Sequence, residues 1–131
     1  MKNKLNKIVK LTGYKKNPYP YIKQSNFLIL SSLHEGLPNI LLEATVLKRF
    51  VISSNCETGP KEILINGKAG ALFKVKSYLD LSNKIFFFHK NKKIRDKKVQ
   101  FGYSKINRFD SDKNLKNYLK IINILLNIYI F

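Results

Sequence analysis

Phe27-Leu28-Ile29-Leu30-Ser31-Ser32-Leu33-His34-Glu35-Gly36-Leu37-Pro38-Asn39-Ile40-Leu41-Leu42-Glu43 is the stretch that decides how this chain is read. Phe27 to Ser31 is a short apolar run of the kind that forms a buried strand. Gly36-Leu37-Pro38 then turns the chain, and Asn39 stands where a helix N-cap is favourable. With the helix starting there, Glu43 lies about one turn in. Strand, tight loop and helix N-terminus follow in order, with one carboxylate in the loop and one on the helix. Such an arrangement suits a phosphorylated, hydroxyl-rich ligand. The positive helix end meets phosphates, and carboxylates accept hydrogen bonds from sugar hydroxyls. The backbone N–H groups of Leu37, Asn39, Ile40 and Leu41 are expected to face a diphosphate, while Gly36 and Asn39 keep side chains small at the mouth of the site.

Working outward, Phe50 to Ser54 reads as a second buried strand, so the two strands and the helix Asn39 to Leu47 form a parallel βαβ unit. Upstream, Ile8 to Thr12 reads as a strand ending at Gly13, and Tyr19 to Gln24 as a short helix with prolines at its start. Downstream, Glu57-Thr58-Gly59-Pro60 leads into a short helix through Leu64. Asn66-Gly67 makes a turn, and Ala71 to Phe73 forms a short edge strand. Ser77 is placed to cap a helix running to about Asn91, with Asp80 in its first turn. Lys92 to Asn107 is basic and helical in pattern, and Asp112 to Ile130 forms a terminal helix. The fold class is α/β, built on a parallel sheet. The expected division is residues 1–91 as an incomplete ligand-binding domain and 92–131 as helices packed on it.

Composition bounds the function. Hydrophobic residues make up 44% of the 131, enough for a core. The single cysteine, Cys56, excludes an internal disulfide and suits a reducing compartment. No leader-like start is present, which leads to an expectation of a cytoplasmic protein. Twenty-five Lys and Arg against eight Asp and Glu give a net charge of +17. That excess favours anionic partners: nucleotides, lipid headgroups or nucleic acid. No set of His, Cys and carboxylates has metal-ligand spacing, so no metal is expected.

At four ordered segments the chain resembles a known family. Ser31 to Ala44 looks like the donor-site signature of group 1 (family four) retaining glycosyltransferases, which have the GT-B fold. Leu11-Thr12-Gly13-Tyr14 with Asn17 to Ile22 is similar to the segment before that signature. Phe50 to Cys56 with Gly59 to Leu64 is similar to the one after it, and Asn66 to Phe73 to the next turn and strand. The resemblance covers roughly residues 8 to 90. It implies a Rossmann-like parallel sheet belonging to the C-terminal, nucleotide-sugar-binding domain of a GT-B enzyme. On this resemblance Glu35 contacts the donor sugar and Glu43 the ribose. Backbone N–H groups from Gly36 to Leu41 hold the sugar and diphosphate of a UDP- or GDP-linked hexose. No further cofactor is implied. Pro38, where many members carry Gly, removes one donor N–H. The acceptor-binding N-terminal domain of such enzymes has no counterpart in this sequence, so the chain is expected to be inactive alone: either a separate chain supplies that half, or this is a truncated remnant.

Blander readings stand beside these. Glu43 is also compatible with an ordinary surface position on a helix, and Glu62 with capping its own helix or approaching the donor. His34 reads as a loop residue, His89 as solvated and Cys56 as structural. In the tail, Leu115, Tyr118, Leu119, Ile122, Leu125, Leu126 and Tyr129 follow helical spacing and argue for one buried face. Should no second domain cover that face, an anionic membrane surface is its natural partner, reinforced by Lys90, Lys92, Lys93, Arg95, Lys97 and Lys98. That would place the chain peripherally at the inner face of the membrane. The alternative to a glycosyltransferase is a non-catalytic basic module for nucleic acid or a partner chain, with Tyr14, Tyr19 and Tyr21 available for stacking. No nucleic-acid-binding motif accompanies it.

Overall fold

A computed structural model describes residues 8–128, with the side chains of residues 127 and 128 outside the description. The chain runs α1 (Tyr19–Gln24), β1 (Phe27–Leu30), α2 (Asn39–Val46), β2 (Phe50–Ser54), α3 (Pro60–Ile63), β3 (Ala71–Phe73), α4 (Tyr78–Lys90) and α5 (Lys92–Ser104). A 3₁₀ turn (Ile106–Phe109) and α6 (Ser111–Ile128) complete it.

The three strands form one parallel sheet in the order β1-β2-β3. Phe27 pairs with Phe50 and Ile52 with Ala71, which fixes the register. Every residue of the central strand β2 is buried. Side chains alternate across a sheet, and this alternation sorts the core in two. Leu28, Leu30 and Val51 face Ile22, Leu41, Ala44, Ile63 and Leu64 from α1, α2 and the α3 segment. Phe27, Phe50, Ile52, Ala71 and Phe73 face Phe88, Leu81, Ile85 and Val99 from α4 and α5. A parallel sheet needs cover on both faces, because its strands carry apolar side chains on both. Ser77 caps α4 as its position suggests: its hydroxyl accepts from the Asp80 N–H at 3.2 Å.

Three expectations are corrected. Ile8 to Thr12 is not a strand; Ile8, Val9 and Leu11 are exposed in irregular backbone. A strand is held by pairing with a neighbour, and this segment pairs with none of the three. Asn39 is not the N-cap but the first helical residue, and Pro38, in extended conformation, stands before it without a side-chain cap. The proline fixes its own φ, so the helix begins immediately after it. Finally, the apolar stripe of α6 is exposed rather than buried: Leu115, Leu119, Ile122 and Leu126 are each about half exposed. The apolar spacing that suggests a buried face makes the helix two-sided, but nothing among the described residues lies against that side. No helix among the described residues is long and apolar enough to cross a membrane.

Candidate nucleotide-sugar site

Open parallel sheets bind ligands beyond the carboxyl ends of their strands. At that end two loops meet, residues 31–38 leading into α2 and 55–59 leading into α3. Hydrogen bonds stitch them together. Ser54 Oγ donates to the Ser32 carbonyl at 2.6 Å, and Thr58 Oγ1 donates to the carbonyl of Glu35. Ser54 is almost wholly buried. The Asn55 N–H donates to Phe73 O at 2.8 Å, tying the second loop to β3. At Gly59 the loops touch backbone to backbone. A Cβ there would run into the Gly36 carbonyl oxygen and come within 2.7 Å of Pro38 Cδ, and its φ of 85° lies in the left-handed region. Glycine is required at Gly59 on both counts. Gly36, by contrast, has open space where a Cβ would sit.

The N-terminus of α2 opens onto this loop pair. The N–H groups of Leu37, Asn39 and Ile40 have no acceptor among the described residues, as expected for the first turn of a helix. Leu41 differs from expectation: its N–H donates to Pro38 O at 3.0 Å, and its side chain is fully buried in the core. The tight turn that Pro38 makes into the helix consumes that donor. Ile40 is partly buried against the same core. Of the sequence-derived residues, Leu41 therefore anchors the helix, and Asn39 and Ile40 present its free N–H groups.

Glu43 is half buried and lines a groove of about 430 Å³ with Tyr19, Asn39, Leu42, Val46 and Leu47. The groove runs between α1 and α2, so one wall comes from a segment before β1. Glu35 is also half buried, in the loop whose carbonyl Thr58 holds. Neither carboxylate takes part in an ion pair or hydrogen bond among the described residues. Both ion pairs found there involve Asp96. Most acids of this cationic chain form no ion pair among the described residues; what sets Glu35 and Glu43 apart is that both are half buried beside one helix entrance. A carboxylate left free in this way can accept two hydrogen bonds from a vicinal diol.

Glu62 does not cap α3, whose N-cap is Gly59. It lines a second groove of about 490 Å³ beside Thr58, Gly59, Lys61 and Arg108. The Arg108 guanidinium donates to the Glu62 and Ile63 carbonyls at 2.9 and 2.6 Å, closing the end of that helix. Cys56 is buried, its thiol 3.8 Å from Thr58 O. No cluster of His, Cys, Asp and Glu able to hold a metal occurs among the described residues. Tyr19, Thr58 and Gly59 belong to the site and were not singled out for it from the sequence. Gly59-Pro60 marks a turn into a helix, but nothing in that dipeptide reports that it meets Gly36.

A three-stranded parallel sheet with the candidate site at its carboxyl end and helices on both faces defines the class of protein, and sequence comparison agrees. The family model for group 1 glycosyl transferases matches residues 2–108, and the chain belongs to that family. It is 45% identical over 73 residues to an uncharacterized glycosyltransferase of Methanocaldococcus jannaschii, covering 49% of this chain and 18% of that protein. It is 34% identical over 107 residues to the capsular polysaccharide biosynthesis glycosyltransferase CapH of Staphylococcus aureus, covering 81% of this chain and 28% of the relative. The chain thus spans under a third of the length of these curated relatives. Among solved structures, TarM superposes with a TM-score of 0.73 at 22% identity, covering 84% of this chain and 22% of TarM. The C-terminal domain of LpcC, a group 1 glycosyl transferase of Francisella tularensis, gives 0.64 at 23% identity, over 77% of this chain and 51% of that domain. These likenesses establish the α/β fold of GT-B C-terminal domains. Family membership does not favour the nucleic-acid alternative.

Proposed function

We propose that this chain binds a UDP- or GDP-linked hexose as the donor half of a retaining glycosyltransferase. Glu43 grips the ribose diol from its groove beside Tyr19, and Glu35 accepts from hydroxyls of the donor sugar. The free N–H groups of Asn39 and Ile40, at the positive end of α2, face the diphosphate and stabilise charge as it departs. The observation that carries this reading is the pair of half-buried, unpaired carboxylates flanking one helix entrance in a strongly cationic chain. Relatives described as transferring N-acetylgalactosamine to diphospho-undecaprenol-linked glycans, or as making capsule, support a glycan or lipid-linked acceptor. Transfer also needs an acceptor-binding half, which the described residues do not form.

Calorimetric titration with UDP, GDP and their hexose conjugates tests the site. Wild type should bind one base class, and Glu43→Ala should weaken binding about a hundredfold by removing a charged acceptor of two hydrogen bonds. Unchanged affinity in Glu43→Ala would overturn the assignment. The exposed stripe of α6 supports a peripheral cytoplasmic membrane location: Leu115, Leu119, Ile122 and Leu126 oppose Lys113, Lys116 and Lys120 on the helix. Flotation with anionic vesicles should carry the protein at low salt and lose it with Leu119→Asp/Ile122→Asp. Failure of the wild type to float removes the membrane from the proposal.

A further inference from the structure

The opposite end of the sheet carries a second feature. Where α2 ends, Lys48 adopts a φ of 54° and turns the chain into β2, and the Arg49 N–H donates to Ala44 O at 2.8 Å. This turn brings Lys48 and Arg49 against Lys92, Arg95, Asp96 and Gln100, which share one face of α5 at helical spacing. Together with Asn26, just before β1, they line a pocket of about 260 Å³. Four cations meet there around a single carboxylate. Asp96 is already engaged, with Lys92 Nζ at 2.5 Å and Arg95 Nε at 3.9 Å. Arg95 is largely buried, its guanidinium 5.3 Å from the centre of the Phe27 ring.

Arg49 is where the balance fails. Its Nε is buried and has no hydrogen-bond acceptor, the only side-chain nitrogen or oxygen in that condition among the described residues. A buried donor on a cation is costly to leave unmet, and such a group asks for an ion or water to meet it. Asp96 is engaged by Lys92 and Arg95, so among the described residues no acceptor is left for Arg49 Nε.

We propose that this pocket is an anion site for a phosphate group, distinct from the donor site because it lies at the amino ends of β1 and β2. A tetrahedral dianion supplies several acceptors at once to donors converging from different elements. Guanidinium groups match its oxygens in pairs. Arg49 and Arg95 hold the phosphate, Lys48 and Lys92 balance its charge, and Asn26 and Gln100 offer neutral donors at the rim.

The test is a ¹⁵N NMR titration of the full chain with inorganic phosphate, ionic strength being held constant with chloride. The site predicts saturable shifts of the Arg49 side-chain Nε–H and of the Lys48 and Gln100 amides. Arg49→Met and Arg95→Gln, each checked for a native spectrum, should weaken binding about tenfold or more. Shifts confined to Asn39 and Ile40 would mean that phosphate enters only the donor site, and would overturn the proposal. So would a response that does not saturate, one that chloride reproduces, or wild-type affinity in both variants. Competition separates the sources of the phosphate. Displacement by glycerol 3-phosphate but not by phosphatidic acid vesicles assigns a soluble phosphate ester, and displacement by the vesicles assigns a lipid headgroup.

Discussion

The two faces of the sheet are built from different materials. Against α1, α2 and the α3 segment the core is aliphatic, made by Ile22, Leu41, Ala44, Val51, Ile63 and Leu64. Against α4 and α5 it is aromatic. Phe50 packs on Phe88 with ring centres 4.5 Å apart and planes tilted by 42°, and Phe27 meets Phe50 edge-on at 6.0 Å. Cations lie over that second face: Arg95 over Phe27 and Lys98 near Phe88. The aliphatic face carries the helix that bears Glu43, so its packing sets the geometry of the site. The aromatic face holds the sheet together from behind. On the proposed function, one face positions the site and the other mainly supplies stability.

Two large-to-small substitutions can break this comparison. Phe88→Ala removes the central ring of the aromatic cluster and should cost roughly 3–5 kcal/mol of unfolding free energy, measured in urea. Nucleotide affinity of the remaining folded protein should be unchanged; a parallel loss of affinity would show that the division of labour is wrong. Leu41→Ala should cost a little less, roughly 2–4 kcal/mol, but it should also weaken nucleotide binding, because the cavity lets the first turn of α2 shift. Retention of full affinity would mean that α2 is held by its loops and not by its core contacts.

The smallest effect sharpens the aromatic side. Lys98 lies among Phe88, Lys84 and the Gly67 carbonyl, to which it donates at 2.5 Å. Burial, and then repulsion from Lys84, lower its pKa from the usual 10.5. A lysine whose folded pKa is depressed binds its proton less readily in the native state than in the unfolded one. Stability attributable to it therefore rises with pH between the lowered folded value and 10.5. Lys98→Met should flatten that rise by a few tenths of a kcal/mol, an amount discounted for partial exposure. Melting temperatures of the two proteins across the alkaline range would show it. Parallel profiles would mean that the carbonyl bond offsets the burial.

Much of this was legible from the sequence, for identifiable reasons. β1, α2, β2 and β3 were readable because short apolar runs alternate with Gly, Pro and Asn punctuation, and each such signal is local. The cap at Ser77 was readable for the same reason. Ile8 to Thr12 misled because a strand is a property of two segments, and one segment cannot declare whether another will pair with it. Asn39 misled because Pro38 takes the position just before the helix, a choice made by one ring and its φ. At the site, Glu35 and Glu43 could be picked out by residue type and spacing. Tyr19 beside Glu43, and Gly59 beneath Gly36, depend on how α1 and the two loops come together in space. The unmet nitrogen of Arg49 is still less visible: in the sequence it is one basic residue among twenty-five.

The contact at Gly59 has a thermodynamic consequence for any ligand of the proposed site. Because the two loops touch through bare backbone and share the Thr58 and Ser54 hydrogen bonds, neither can be displaced without the other. If the proposed site is right, a sugar arriving at Glu35 would meet one wall already set in place, where two independent loops would each have to be stilled. The conformational entropy of that ordering is spent when the chain folds, and binding does not have to supply it again.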